Sequence, residues 1–96
     1  KKIIIDPGLG FGKNRQHNYQ IVNNIEEFHI LGYPLLIGAS RKSMIYNLLD
    51  ISAAEALNGT TIINTIALLK KTSILRVHDI KEAVECIKIV NFAQNK

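Results

Sequence analysis

Three short stretches of this chain gather the residue types that do chemistry, and each follows a short apolar run. The first is Asp6-Pro7-Gly8-Leu9-Gly10-Phe11-Gly12-Lys13, the second Ser40-Arg41-Lys42-Ser43, and the third the pair Arg76 and His78. Lys13 aside, together they offer one carboxylate, three fixed cations and a histidine. That inventory suits an anionic ligand such as a phosphate ester, with the carboxylate left to accept hydrogen bonds from a polar ring. Arg76 and His78 alternate across Val77, which sets both on one face of a strand. The second cluster lies just before a helical pattern, where free backbone N–H groups favour anions. The glycine-rich stretch matches neither the dinucleotide fingerprint nor the phosphate loop, because Pro7 stands where a glycine belongs and Asn14 follows Lys13. Plainer readings stand beside each: a strand-to-helix turn, a solvated basic turn, and an arginine paired with Asp79 or another carboxylate.

The elements that must position these clusters follow from the spacing of apolar residues. Ile3–Ile5 reads as a buried strand stopped at Asp6, and Ile21, Val22, Ile25 and Phe28 recur at helical spacing within one helix from Asn18 to His29. Gly32 and Pro34 punctuate its exit. Leu35–Ile37 is the second strand, after which Met44, Ile45, Leu48 and Leu49 resume a helical period. Ser52 and Glu55 have the spacing of a capping box, Asn58-Gly59 reads as a turn, and a further helix runs from Thr60 to Lys71. Ile74–His78 is the third strand. Asp79 and Glu82 cap a last helix with a buried stripe of Ile80, Ala83, Val84, Ile87 and Val90. The order is βαβαβα, which implies a parallel sheet whose carboxyl ends share one rim, the rim on which such folds bind ligands.

Ninety-six residues allow one small domain or part of a larger one. Three parallel strands leave open edges and do not close a barrel, whereas eight such units make one of about 250 residues. The chain begins at Lys1 and has its single methionine at Met44, so residues 1–96 are expected to be an excerpt of a longer domain. The net charge of +4 is dispersed and the six aromatics form no stacking stripe, which argues against nucleic acid. No apolar run approaches the roughly 18 residues of a membrane span. Cys86 is the one cysteine, with no partner for a disulfide and no Cys/His cluster, and a reducing, cytoplasmic setting is expected. His17 and His29 lie outside the three tips, and surface or packing roles are expected for them.

Taken in order, the segments Ile3 to Lys13, Pro34 to Ser43 and Ile74 to Asp79 resemble the sixth, seventh and eighth strand tips of dihydropteroate synthases. The similarity is collinear over nearly the whole chain, including His17-Asn18 and Glu82. The resemblance implies an α/β fold, the C-terminal βαβαβα part of a (β/α)8 TIM barrel. It implies an enzyme that joins p-aminobenzoate to 6-hydroxymethyl-7,8-dihydropterin diphosphate and releases pyrophosphate, with Mg2+ and as a homodimer. Carried across, Asp6 accepts hydrogen bonds from the pterin, and Lys42 donates to the pterin and reaches toward p-aminobenzoate. Arg76 stacks on the pterin and, with His78, holds the diphosphate. Gly10 and Phe11 flank the aminobenzoate ring, Ser43 receives its carboxylate, and Arg41 turns away into a structural ion pair. No Mg2+ ligand is implied in this segment; it belongs to the family's first five strands.

Departures from the family are Ile62-Ile63-Asn64-Thr65-Ile66 in place of a small-residue helix, and Thr72-Ser73 in place of a glycine-alanine pair before the last strand. Two other functions compete: a relative that binds a folate-type pterin for methyl transfer, against which the Ser40–Ser43 tip argues, and a non-catalytic phosphate-binding or dimerisation module.

Overall fold

The computed structural model describes residues 2–10 and 14–95. Its sheet is small and parallel, with helices on the connections. Strand β1 (Leu36–Ile37) pairs with β2 (Ile74–Leu75) in the register Leu36↔Ile74 and Ile37↔Leu75, and Ile5 makes a single parallel bridge to Leu35. The first strand expected over Ile3–Ile5 therefore contracts to that bridge, held by Ile5 N–H to Pro34 O and Leu36 N–H to Ile5 O. Ile3 and Ile4, expected to be buried, are 41% and 52% exposed, because only Ile5 is bridged. The third strand ends at Leu75 rather than His78, although Arg76 N–H still reaches Ile37 O at 3.0 Å.

Helix α1 (Arg15–Asn23) begins at Asn14, whose side chain accepts the His17 N–H. The helix expected to run unbroken from Asn18 to His29 stops at Asn23 and gives way to a 3-10 segment, Ile25–Leu31. Asn24 is the reason: its Nδ2 donates to Gln20 O at 2.8 Å, a side-chain bond that competes with the helical ladder. Gly32, at φ 76°, closes the segment in the left-handed region.

Helix α2 (Ser43–Leu49) buries Met44 and Ile45 but leaves Leu48 and Leu49 about half exposed. The expected capping box is present, both of its bonds linking Ser52 and Glu55 around the 3-10 turn Ala53–Glu55. Asn58-Gly59, expected as a turn, lies inside α3 (Leu57–Leu69), because the chain re-enters a helix directly after Ala56. Gly59 is there for packing, since a Cβ at that position would collide with Ile45 Cγ2 and meet Leu49 Cδ1 at 3.1 Å. On α3, which was expected from Thr60 to Lys71, Ile63 and Ala67 are buried while Ile62 and Leu69 are exposed.

Helix α4 (Ile80–Ala93) buries Ala83, Cys86 and Val90, an i, i+3, i+7 stripe against α3. Ile80, Val84 and Ile87 of the expected stripe are exposed instead, because among the described residues α4 packs chiefly against α3. Asp79 does occupy the N-cap position of α4, but its side chain makes no capping bond. The core joins Leu9, Val22, Ile25, Leu35, Ile37, Ala39, Met44, Ile45, Ala56, Ile63 and Ala67, directly beneath the strand tips.

Candidate active site at the strand tips

Each strand tip is shaped by local backbone chemistry before any side chain is aimed. At the first, Asp6 Oδ1 accepts the Gly8 N–H at 2.9 Å, and Gly8 and Gly10 take φ of 76° and 89°. Leu9, 2% exposed, anchors the loop in the core, and the Gly10 N–H donates to Asn18 Oδ1 at 2.8 Å. At the second, Arg41 is a non-glycine residue in the left-handed region at φ 53°, held by its N–H to Thr60 Oγ1 at 2.9 Å. Such a conformation persists only where its surroundings enforce it.

Neighbouring Arg41 and Lys42 consequently go separate ways. Arg41 makes a two-point ion pair with Asp79, Nε to Oδ2 at 2.9 Å and Nη2 to Oδ1 at 3.0 Å, and its Nη1 donates to the carbonyls of Ala53 and Ala54. This pairing takes the Asp79 carboxylate away from the α4 cap. Hydrogen bonding to Arg41 holds the Asp79 carboxyl below its usual range, against some burial. Lys42 turns to the glycine loop, where Nζ donates to Leu9 O at 2.7 Å. Burial, reinforced by the Arg76 charge and opposed by Asp6, lowers the Lys42 pKa.

At the third tip, the Arg76 guanidinium lies over Gly38, where a Cβ would stand 2.7 Å from Nη2. Its Nη1 reaches Asp6 Oδ2 at 3.3 Å. Arg76 thus pairs with Asp6, and Asp79 with Arg41. His78 docks on Ser40: its backbone N–H donates to Oγ at 3.2 Å and its Nδ1 lies 2.8 Å from the same oxygen, leaving Nε2 as the ring nitrogen Ser40 does not use.

The structure brings Asp6, Gly10, Lys42, Ser43, Arg76 and His78 to one rim, while Phe11 lies outside the described residues. Two clefts open there. One, of about 100 Å³, is lined by Gly38, Ser40, Lys42, Arg76, Val77 and His78. The other, of about 290 Å³, is lined by Leu9, Gly10, Arg41, Lys42, Ser43 and Tyr46. Lys42 belongs to both and forms the wall between them. Both clefts present two cations and a serine; the first adds a histidine, and the second a tyrosine and the glycine loop.

Gly38 and Asn18 act at this rim without having been singled out by residue type, and Ser40, named only as part of the second cluster, acts by holding His78. Gly38 and Ser40 did carry a signal, since they alternate across Ala39 as Arg76 and His78 alternate across Val77. Of the two histidines expected to have surface or packing roles, His29 is part-buried with Nε2 on Lys70 O at 2.8 Å, while His17 is exposed. Cys86 is buried beside Thr65 Oγ1.

The family described as pterin binding enzyme matches residues 1–78. The chain belongs to this pterin-binding enzyme family. Its relatives there are dihydropteroate synthases: the Escherichia coli K12 protein is 47% identical over 90 residues, covering 94% of this chain and 32% of the relative. The crystal structure of the Yersinia pestis dihydropteroate synthase superimposes with a TM-score of 0.94 at 42% identity, covering 97% of this chain and 44% of that one. The same Yersinia enzyme with a pterine-sulfa conjugate gives a TM-score of 0.93 at 43% identity over 95% of this chain and 36% of that chain. The chain thus spans about a third of the length of the Escherichia coli relative. No helix among the described residues is long and apolar enough to cross a membrane.

Proposed function

We propose that this chain supplies the last three βα units of a (β/α)8 barrel, and that the complete protein condenses p-aminobenzoate with 6-hydroxymethyl-7,8-dihydropterin diphosphate to give 7,8-dihydropteroate and pyrophosphate in folate biosynthesis. The observation that carries this reading is the pair of unlike clefts divided by Lys42. A two-substrate condensation needs a half-site for the diphosphate-bearing substrate beside one for an amine that carries its own carboxylate, with a cation shared at the boundary. The conjugate bound by the Yersinia relative, pterin joined to sulfa, has the same two-part form.

In this reading Asp6 accepts hydrogen bonds from the pterin's amino-pyrimidine edge, and Arg76 exchanges its 3.3 Å contact with Asp6 for the pterin face and the diphosphate. An exposed, single-contact ion pair is weak enough to be exchanged. His78, steadied on Ser40, directs Nε2 at the diphosphate. Lys42 donates to the pterin and points toward p-aminobenzoate, whose carboxylate is received at Ser43 and whose ring lies along Gly10 and Phe11. The amine nitrogen attacks the pterin methylene while the C–O bond breaks, both electrons leaving with the diphosphate oxygen, and the amine then gives up its proton. Negative charge grows on the leaving group, so Arg76 and His78 stabilise the transition state more than the ground state.

Among the described residues no group of three or more His, Cys, Asp and Glu is placed to hold a metal. On the family resemblance, Mg2+ is proposed to be held by residues outside this chain, and no step is assigned to it. A homodimer in the cytoplasm completes the proposal. The test is pyrophosphate release by the complete protein: release that requires both substrates supports the reaction, and release or methyl transfer independent of p-aminobenzoate overturns it.

A further inference from the structure

One peptide group at the rim is held at both ends. Its N–H, that of Gly10, donates to Asn18 Oδ1 at 2.8 Å, and its carbonyl, that of Leu9, accepts from Lys42 Nζ at 2.7 Å. Asn18 lies on α1 and is only 3% exposed, a buried polar side chain that the reaction described above does not use. From this geometry we propose that Asn18 is a positioning residue for Lys42, acting through the Leu9–Gly10 peptide. The inference rests on the proposed role of Lys42 at the boundary of the two clefts.

The Leu9–Gly10 peptide turns about ψ of Leu9 and φ of Gly10, and Gly10, at a positive φ of 89°, restricts its side little. Leu9 fixes one side by burial of its side chain, but a buried side chain does not dictate which way its own carbonyl points. The Asn18 amide does. By taking the Gly10 N–H it sends the Leu9 carbonyl, on the opposite side of a trans peptide, toward the second strand tip. There the carbonyl meets the Lys42 ammonium in a charge-assisted bond, stronger than a neutral one.

The lysine stem depends on the same loop. A Cβ on Gly10 would lie 3.4 Å from Lys42 Cδ, so the side chain runs alongside Gly10 to reach Leu9 O. Hydrogen bonds in series polarise one another, and the sequence Asn18, peptide, Lys42 is such a series in a partly buried setting. Turning the peptide would remove an acceptor of Nζ and shift the wall between the clefts. Asn18 therefore touches neither proposed substrate and still sets where Lys42 stands.

The test is a double-mutant cycle on kcat/KM in the complete protein, with hydrogen exchange at the Gly10 amide as a readout that does not depend on catalysis. Asn18→Ala is expected to lower kcat/KM on the order of tenfold, Asn18→Asp, which keeps the acceptor, to restore most of it, and Asn18→Ala to cost little more once Lys42→Ala is present. Strict additivity of Asn18→Ala and Lys42→Ala overturns the proposal. Lys42→Ala alone is expected to speed Gly10 amide exchange severalfold, which keeps the idea testable if Asn18→Ala does not fold; unchanged exchange overturns it. A protein without synthase activity whose Gly10 amide responds to Lys42→Ala would refute the proposed reaction and leave the positioning role standing.

Discussion

Arg76 and Asp6, seventy positions apart in sequence, form an ion pair of 3.3 Å at the mouth of the site. Their side chains are 52% and 34% exposed, so the pair is screened by solvent and contributes little to stability. Its interest is geometric: it holds a guanidinium over Gly38, at the edge of the cleft lined by Lys42, Arg76 and His78.

Gly38→Ala is expected to disturb that placement with little cost to the fold. The Cβ would meet the end of the flexible Arg76 side chain rather than backbone, and the guanidinium would be displaced from Asp6. Pyrophosphate affinity of the complete protein should fall severalfold while the unfolding transition barely moves, which calorimetric titration and a thermal melt would check together.

Arg41 and Lys42 should respond oppositely to truncation. Arg41→Ala removes the Asp79 pair and two carbonyl contacts and should lower stability, whereas Lys42→Ala should lower turnover and pterin affinity with a smaller effect on the melt. The Arg41 effect has a defined pH window. The Asp79 carboxyl is depressed in the folded chain, so its contribution is present above the ordinary aspartate range and is lost as pH falls through the depressed value. The difference in Tm between wild type and Arg41→Ala should accordingly shrink in acid; a difference that grows there would place the Arg41 effect elsewhere.

Much of this pairing was legible once the strand register was known, because a single offset of 38 positions links Leu36 with Ile74, Ile37 with Leu75, Ser40 with His78 and Arg41 with Asp79. The alternation of Arg76 and His78 and the apolar runs of the second and third strands located the rim from sequence alone. Asn18 was not legible as a site residue: it falls among the apolar positions of α1, and only the approach of the glycine loop makes its burial intelligible. The turn expected at Asn58-Gly59 and the apolar stripe expected on α4 failed for a shared reason. Local composition does not reveal which neighbour a helix face will meet: Gly59 meets Ile45, and Ile80, Val84 and Ile87 are left 70%, 43% and 36% exposed.

Thr72 precedes the third strand where the family usually has a glycine-alanine pair, and its buried Oγ1 has no hydrogen-bond partner among the described residues. Burial of an unpaired hydroxyl is costly, so replacement by an isosteric methyl should stabilise. Thr72→Val is expected to raise unfolding stability by about 1 kcal/mol, on the scale of one unsatisfied hydroxyl. Urea denaturation measures it; a loss would show that the hydroxyl is satisfied by solvent.

In the proposed reaction Arg76 and His78 would reach the leaving group from different supports, Gly38 and Ser40. Their effects should nonetheless be coupled, because both face charge that grows in one transition state. Removing either should lower kcat on the order of tenfold to a thousandfold, as for other lost transition-state donors, and the double variant should lose less than the product of the two. Strict additivity, with pyrophosphate binding intact, would return both residues to structural roles.

The division of the rim by Lys42 is the central claim, and a comparison of KM values in the complete protein tests it most directly. Three variants, Ser43→Ala, His78→Ala and Lys42→Ala, would each be measured against p-aminobenzoate and against the pterin diphosphate. The account predicts that Ser43→Ala raises KM for p-aminobenzoate alone, that His78→Ala raises it for the pterin diphosphate alone, and that Lys42→Ala raises both. Equal changes for both substrates in all three variants would contradict it, since the two clefts would then be one undivided site.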